Sequence, residues 1–524
     1  MTESYEGVCL SNRSFVSQYL TKAGRSAMVC SLPNGTEGSD PVRVLLVSAN
    51  RESFPDPVFP LGAAYAAAAV RKAGHRISVL DLAFVRDPEK TLSASILREN
   101  ADLVAFSLRN LDNAAYPLTR FYLPYYRSLL RTARETVSRT SRSKAPLVVG
   151  GSAVGLMPAA VVKSLGADYG VAGESEESFP ALLEALEGGC SPLGIPGVVV
   201  GEEGGGSGTP LPFPVLPVSP EVEGRDWTRM TPARDLFDLS RYVRVGGMAN
   251  IQTKRGCAFR CRYCTYPLLE GRDHRLRDPD SVADEIEDLV ERNGVRSFFF
   301  VDSVFNLPAS HAEAISQALI NRKIRIRWSA YASPAGLTRG LLETMAAAGC
   351  DGLEMGSDSA DEATLETLGK GFSPDRILEV AEDCRKVGIP ICHSLIFGGP
   401  GETPETVRHT CRRIDGTRPM AVVAMAGVRL YPGTPLGDWA LSSGLMKSGD
   451  DFLEPFFFIE PGVRSFLIPY LESFSAARGN WILPGVVPPL APTTQRVIRF
   501  LGYRKPLWHL LKYGVFKNRV YRDR

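Results

Sequence analysis

Short apolar runs punctuate the chain from residue 42 onward. Residues 42–47, 77–80, 103–106, 147–149 and 169–171 have the length and content of strands buried on both faces. An alanine-rich stretch, residues 62–73, lies between the first two and predicts a helix packed closely against them. Strand and helix alternate to about residue 190, which implies a parallel, doubly wound α/β sheet with ligands at the carboxyl ends of its strands. Those ends carry small or polar residues: Ser48-Ala-Asn50, Ser107 with Arg109, Asn110 and Asp112, Gly150-Gly151-Ser152, and Gly173-Glu174. Any one such end needs only a tight turn to explain it. Four in register favour a site of nucleotide size.

A second series follows a break. Residues 201–220 run through Gly-Glu-Glu-Gly-Gly-Gly-Ser-Gly into five prolines, a composition suited to a linker. Beyond it, strands are expected at 250–254, 298–301, 327–331, 352–355, 390–397 and 422–430, with an amphipathic helix at 281–292. Six strands with intervening helices predict a partial or complete βα barrel, whose chemistry sits at the carboxyl ends. Polar and glycine residues fall there too: Asp302-Ser303, Gly356-Ser357, Gly398-Gly-Pro-Gly-Glu402 and Tyr431-Pro-Gly-Thr434. The expected organisation is an irregular arm (1–40), a doubly wound domain (41–195), a Gly/Pro-rich linker (196–244), a barrel (245–440) and a C-terminal cap (441–524).

Composition narrows the partner. With 524 residues, 44% hydrophobic and 23% charged, and a net charge of +2, the chain reads as globular and not as a dedicated nucleic-acid binder, which leaves a small molecule as the expected partner. The ten cysteines show no paired framework, the N-terminus has no apolar signal segment, and no apolar run reaches membrane-helix length, so a cytoplasmic location is expected. The last stretch, 496–524, differs. It holds nine Lys or Arg against Asp523, with Tyr503, Trp508, Tyr513 and Phe516 interleaved. This suits a cap packing its aromatics over the barrel mouth, and it keeps a peripheral membrane contact in view.

The densest chemistry is Cys257-x3-Cys261-x2-Cys264, just after the first barrel strand. Three thiolates from one tight loop can hold three irons of a cubane cluster and leave the fourth iron open. A zinc site would need a fourth ligand, for which His274 is the nearby candidate, and three merely buried cysteines would sit oddly among Arg255, Arg260 and Arg262.

In its context the cysteine motif, with the Gly-Gly-Pro-Gly-Glu turn, resembles the radical S-adenosylmethionine superfamily over residues 245–440. Residues 42–190 resemble the flavodoxin-like cobalamin-binding domain fused to such barrels, through Pro60-Leu-Gly62, Ser107, Gly150-Gly151 and Asp168-Tyr-x3-Gly173-Glu174-x-Glu176. Together they resemble the cobalamin-dependent, class B radical enzymes.

That resemblance implies a [4Fe–4S] cluster on Cys257, Cys261 and Cys264, with S-adenosylmethionine on its open iron. It implies Asp302 and Ser303 at the methionyl ammonium, Glu354, Ser357 and Arg429 at the methionyl or ribose part, and Tyr263 beside adenine. Ser107, Asn110, Gly150, Gly151, Gly173 and Glu174 would line the cobalamin site. The loop after the first strand reads Ser48-Ala-Asn-Arg-Glu-Ser-Phe-Pro-Asp and has no histidine, so the cobalamin is expected in its His-off form. The implied reaction is C-methylation of an unactivated carbon, of a small-molecule or lipid-like substrate, by a 5′-deoxyadenosyl radical and methylcobalamin. An electron donor such as flavodoxin or ferredoxin would be needed. A radical cyclisation or rearrangement, or a cobalamin or iron–sulfur sensor, are the alternatives.

Overall fold

In the computed structural model, residues 41–53, 55–201, 227–447, 452–486 and 492–513 are described. The arm 1–40, most of the linker and the tail beyond residue 513 lie outside them.

Six strands form the first sheet: β1 (Arg43–Ser48), β2 (Arg76–Asp81), β3 (Leu103–Ser107), β4 (Leu147–Gly150), β5 (Tyr169–Val171) and β6 (Val198–Val200). Their order is β2-β1-β3-β4-β5-β6, parallel except for β6, which pairs antiparallel with β5. The buried helix Leu61–Lys72 covers one face, its alanines allowing close approach. This is the doubly wound sheet expected, with an antiparallel edge strand that the pattern had not marked.

The second sheet takes β7 (Ala249–Ile251), then, past the hairpin of β8 (Lys254–Arg255) and β9 (Arg275–Leu276), β10 (Ser297–Phe300), β11 (Arg327–Ala332), β12 (Cys350–Asp358), β13 (Ile391–Phe397) and β14 (Ala421–Ala426). The chain closes with the pair β15 (Val428–Arg429) and β16 (Phe457–Phe458), and with β17 (Trp481–Ile482). The order β17-β14-β13-β12-β11-β10-β7 is that of an open parallel barrel. Two expected strands are divided. Residues 250–254 split into β7 and β8, and 422–430 breaks at Gly427, whose φ of +77° ends β14 before the chain turns into β15. The seventh strand, β17, is two residues long, too short for periodicity to reveal.

One hydrophobic core runs through both sheets, from Val44, Leu46 and Phe59 through Phe237 and Tyr242 to Ile251, Phe298 and Trp328. Ion pairs at the carboxyl ends of the first sheet reach barrel residues: Asp112 to Arg429 at 3.0 Å, and Glu174 and Glu176 to Arg255 at 3.2 and 2.5 Å. The functional end of one sheet therefore faces the functional end of the other.

The C-terminal cap sits elsewhere than expected. Trp508 and Leu511 pack on Cys392 and Ala421, and Lys505 pairs with Asp351 at 2.8 Å. All three barrel residues lie at the amino ends of their strands, so this segment closes the floor of the barrel and not its mouth.

Candidate functional site

The cysteine loop is shaped by backbone contacts on both sides. Gly256 has φ +93°, and a Cβ there would overlap the Asp273 carbonyl. The Cys257 amide donates to the Gly271 carbonyl at 3.1 Å, and that of Arg262 to the Leu368 carbonyl at 3.0 Å. Ser303 Oγ donates to the Gly256 carbonyl at 3.3 Å. All three cysteines are free thiols, Cys257 buried and the other two half-buried. Burial pushes Cys264 up to about 12, and the charges of Cys261 and Cys257 push the same way, so the sulfurs face a common space.

This donor set fits a cluster better than a single ion. Thiolates on one tetrahedral ion with bonds near 2.3 Å stand roughly 4 Å apart, and among the described residues no His, Cys, Asp or Glu group is drawn in that closely. A cubane places each thiolate on its own iron and spreads them wider. Lys370 stands over the loop, half-buried, with Nζ 2.8 Å from Asp358. It lowers the cost of the thiolate forms of Cys261 and Cys264. Neither Lys370 nor Asp358 was singled out from sequence. Asp358 ends a strand, which is a usable signal; Lys370 follows a short helix and carried none.

Several expected contacts are engaged otherwise. Asp302, fully buried, accepts from the Thr253 amide at 2.7 Å, Thr253 Oγ1 at 2.6 Å, and the Lys254 amide and Nζ at 3.2 and 3.4 Å. Those donors occupy both its oxygens, so it locks the turn between β7 and β8 and is not free for an ammonium. Arg429 is held by Asp112 and by the Leu430 and Phe452 carbonyls. Ser357, fully buried, bonds His393 Nδ1 at 2.8 Å, on the side of the strand opposite the lumen. Tyr263 is half-buried with its hydroxyl donating to Asp358. Glu354 faces the lumen, but four residues below Asp358, about 13 Å along the strand, so it lies at the floor and not beside the cysteines. There its Oε1 accepts from Trp508 Nε1 at 2.9 Å. Burial raises its carboxyl to about 7, against the lowering effect of the indole donor.

Aromatic side chains line the region where the two sheets face each other. Tyr266 and Tyr331 are 38% and 40% exposed, yet desolvation pushes both hydroxyls upward, which places the rings on an enclosed, water-reachable wall. The charge of Arg109, two residues past the end of β3, opposes both shifts. Phe299 packs edge-on against Tyr331 at 4.9 Å.

On the first sheet, Ser107 and Gly150 end adjacent strands in register. Gly151 has φ +95° and would press a Cβ onto the Leu108 carbonyl. Gly173 has φ +78° and open space where a Cβ would point. Asn110 is half-buried, its carbonyl accepting from Tyr126 Oη at 2.9 Å. These residues form an open cradle, and none of the six histidines falls in residues 48–60. The cradle thus fits a cobalamin without a protein histidine below the metal. Glu174 departs from that group: it pairs with Arg255 and Arg275 of the β8–β9 hairpin. The Gly-Glu-x-Glu run after β5 binds the barrel.

Two family models match, one described as the radical SAM superfamily over residues 251–414, the other as a B12 binding domain over 47–183. The chain is 27% identical to tryptophan 2-C-methyltransferase of Streptomyces laurentii over 439 residues, 73% of this chain and 72% of that one. It is 26% identical to hopanoid C-3 methylase of Methylococcus capsulatus, over 75% of this chain and 70% of the relative. Among solved structures it resembles the radical S-adenosylmethionine methyltransferase TsrM of Kitasatospora setae, bound to tryptophan and a SAM analogue. The TM-score is 0.78 at 25% identity, covering 90% of this chain and 98% of the other.

Proposed function

Because the chain belongs to the cobalamin-dependent radical S-adenosylmethionine enzymes, we propose that it methylates an unactivated carbon of a small-molecule or lipid-like substrate held between its two sheets. The observation that carries this is the facing of the cysteine loop and the His-free cradle, together with the methyltransferases among its relatives. Its cofactors are a [4Fe–4S] cluster, S-adenosylmethionine and cobalamin. When bound, they supply hydrogen-atom abstraction by a 5′-deoxyadenosyl radical and a methyl group carried on cobalt.

The chain's own residues have distinct proposed tasks. Cys257, Cys261 and Cys264 hold the cluster, and Lys370 favours the thiolate forms of Cys261 and Cys264. Tyr263 is fixed by Asp358 at the side of the loop. Ser303 and Asp302 act on the loop's shape. Ser107, Asn110, Gly150, Gly151 and Gly173 accept cobalamin. Tyr266, Tyr331 and Phe299 wall that region against bulk water, and Arg109 and Glu354 offer opposite charges to orient a substrate. The domain limits proposed are those of the sequence pattern, 41–195 and 245–440, with the C-terminal region as a floor. The reading also includes a cytoplasmic location, a flavodoxin- or ferredoxin-type electron donor and a peripheral membrane contact; no described helix is long and apolar enough to cross a membrane.

The test is anaerobic incubation of the loaded enzyme and S-adenosylmethionine with cell extract. A metabolite heavier by one methyl, absent with Cys261→Ala, is expected. A product that is cyclised or rearranged without mass gain from methyl would overturn methylation in favour of the other radical chemistry.

A further inference from the structure

The helix Pro492–Phe500 is turned inside out. Surface helices bury an apolar stripe and expose polar residues. Here the polar residues are buried: Gln495 is 7% exposed and Arg499 1%. Arg499 Nε and a terminal nitrogen donate to Asp56 at 3.0 and 2.5 Å, and its other nitrogen to the Tyr503 and Lys505 carbonyls at 2.9 and 2.8 Å. Gln495 Nε2 donates to Asp56 at 3.1 Å and to the Pro55 carbonyl. The opposite face carries Val497, Phe500 and Leu501, at i, i+3 and i+4, exposed by 56%, 87% and 77%. Rolling the helix to hide these three would take Arg499 and Gln495 away from Asp56, so the buried arginine holds the apolar face outward.

The charge of the helix and of the sequence that follows it says what this face meets. Arg496 is exposed on the same helix, and residues 512–524 add five Lys or Arg against one Asp. A second copy docking through the same patch would oppose like charges across a two-fold axis. An apolar surface with anionic groups above it removes both the exposed hydrophobes and the unbalanced charge. We infer that Val497, Phe500 and Leu501, with the exposed Arg496 on the same helix and a basic sequence following, seat the protein on a membrane containing acidic phospholipid. This rests on the peripheral-contact reading and not on methyl transfer, which is assayed separately on extract.

Flotation of the cofactor-loaded full chain with vesicles decides it. The protein is expected to float with phosphatidylcholine vesicles containing phosphatidylglycerol, to release at high salt, and not to float with phosphatidylcholine alone. The pair Phe500→Ser and Leu501→Ser should weaken binding about tenfold or more. Its cluster and cobalamin absorbance should match wild type, showing that the fold is kept. Truncation after Leu511 should weaken binding and flatten its salt dependence. No flotation of wild type, or flotation unmoved by the double serine variant, overturns the inference. A wild-type dimer that the serine variant dissociates overturns it also, giving the face to a second copy.

Discussion

Replacing Arg255 should unlatch the two sheets at the point nearest the cysteines. Its guanidinium lies two residues before Cys257, is 7% exposed, and meets Glu174 at 3.2 Å and Glu176 at 2.5 Å. It is stacked 4.2 Å from the Trp227 ring centre and 5.2 Å from that of Tyr65. Glu174 keeps Arg275 when Arg255 is lost, so Glu176 is the carboxylate left buried without its partner. Orphaning one member of such a pair costs about 3–5 kcal/mol. Arg255→Met should therefore destabilise the loaded protein by about that amount in urea unfolding. Glu176→Gln added to it should recover a large part, giving a coupling of about 2 kcal/mol in the double-mutant cycle.

The pH dependence supplies an independent sign. Burial alone would raise Glu176, but Arg255 overrides it and holds the carboxyl below the ordinary range. The stabilisation from this group is thus complete above the ordinary carboxylate range and lost as pH falls through the depressed folded value. In Arg255→Met burial acts unopposed by that charge, the folded value rises, and the variant loses stability as pH rises instead. Single changes that add within about 0.5 kcal/mol, or a variant whose acid limb matches wild type, would refute the latch.

Other outcomes follow from the same geometry. Alanine at Cys257, Cys261 or Cys264 should each abolish the iron–sulfur absorbance and its reduced-state paramagnetic signal, with cobalamin absorbance retained. Glu402 accepts from the Gly398 amide and from the Gly399 amide at 3.2 Å, and burial raises its carboxyl to about 8. Since the folded value lies above the ordinary one, its contribution weakens as pH rises from about 4.3 to about 8. Glu402→Gln should flatten that slope in thermal melts, whereas Glu402→Ala, leaving buried amides unpaired, should cost about 1–3 kcal/mol. Trp508→Phe removes the donor that lowers Glu354, so any activity limb governed by this carboxyl should move upward from about 7 in a pH–rate profile.

Local chemistry settled much of this protein before any packing was considered. Buried parallel strands need continuous apolar runs, so β1, β3, β4 and β13 were legible within a residue or two, and a cluster loop needs its thiols close in sequence, so Cys257, Cys261 and Cys264 announced themselves. Partners distant in sequence left no such trace. Asp302 has the composition of a ligand, and only the approach of Thr253 and Lys254 shows its acceptors taken. Glu174 ends a strand of the first sheet like its neighbours, and only the docking of β8 turns it toward Arg255. Nor does a basic, aromatic tail say which end of a barrel it closes, or which face of its helix looks outward; Asp56, some 440 residues away, decides that by claiming Arg499. The sequence by itself determined which elements form and which cofactors they suit, because periodicity and ligand spacing are local. The tertiary structure decided which charged side chains remain free to serve them, because a buried charge is committed to whatever opposite charge the fold brings beside it.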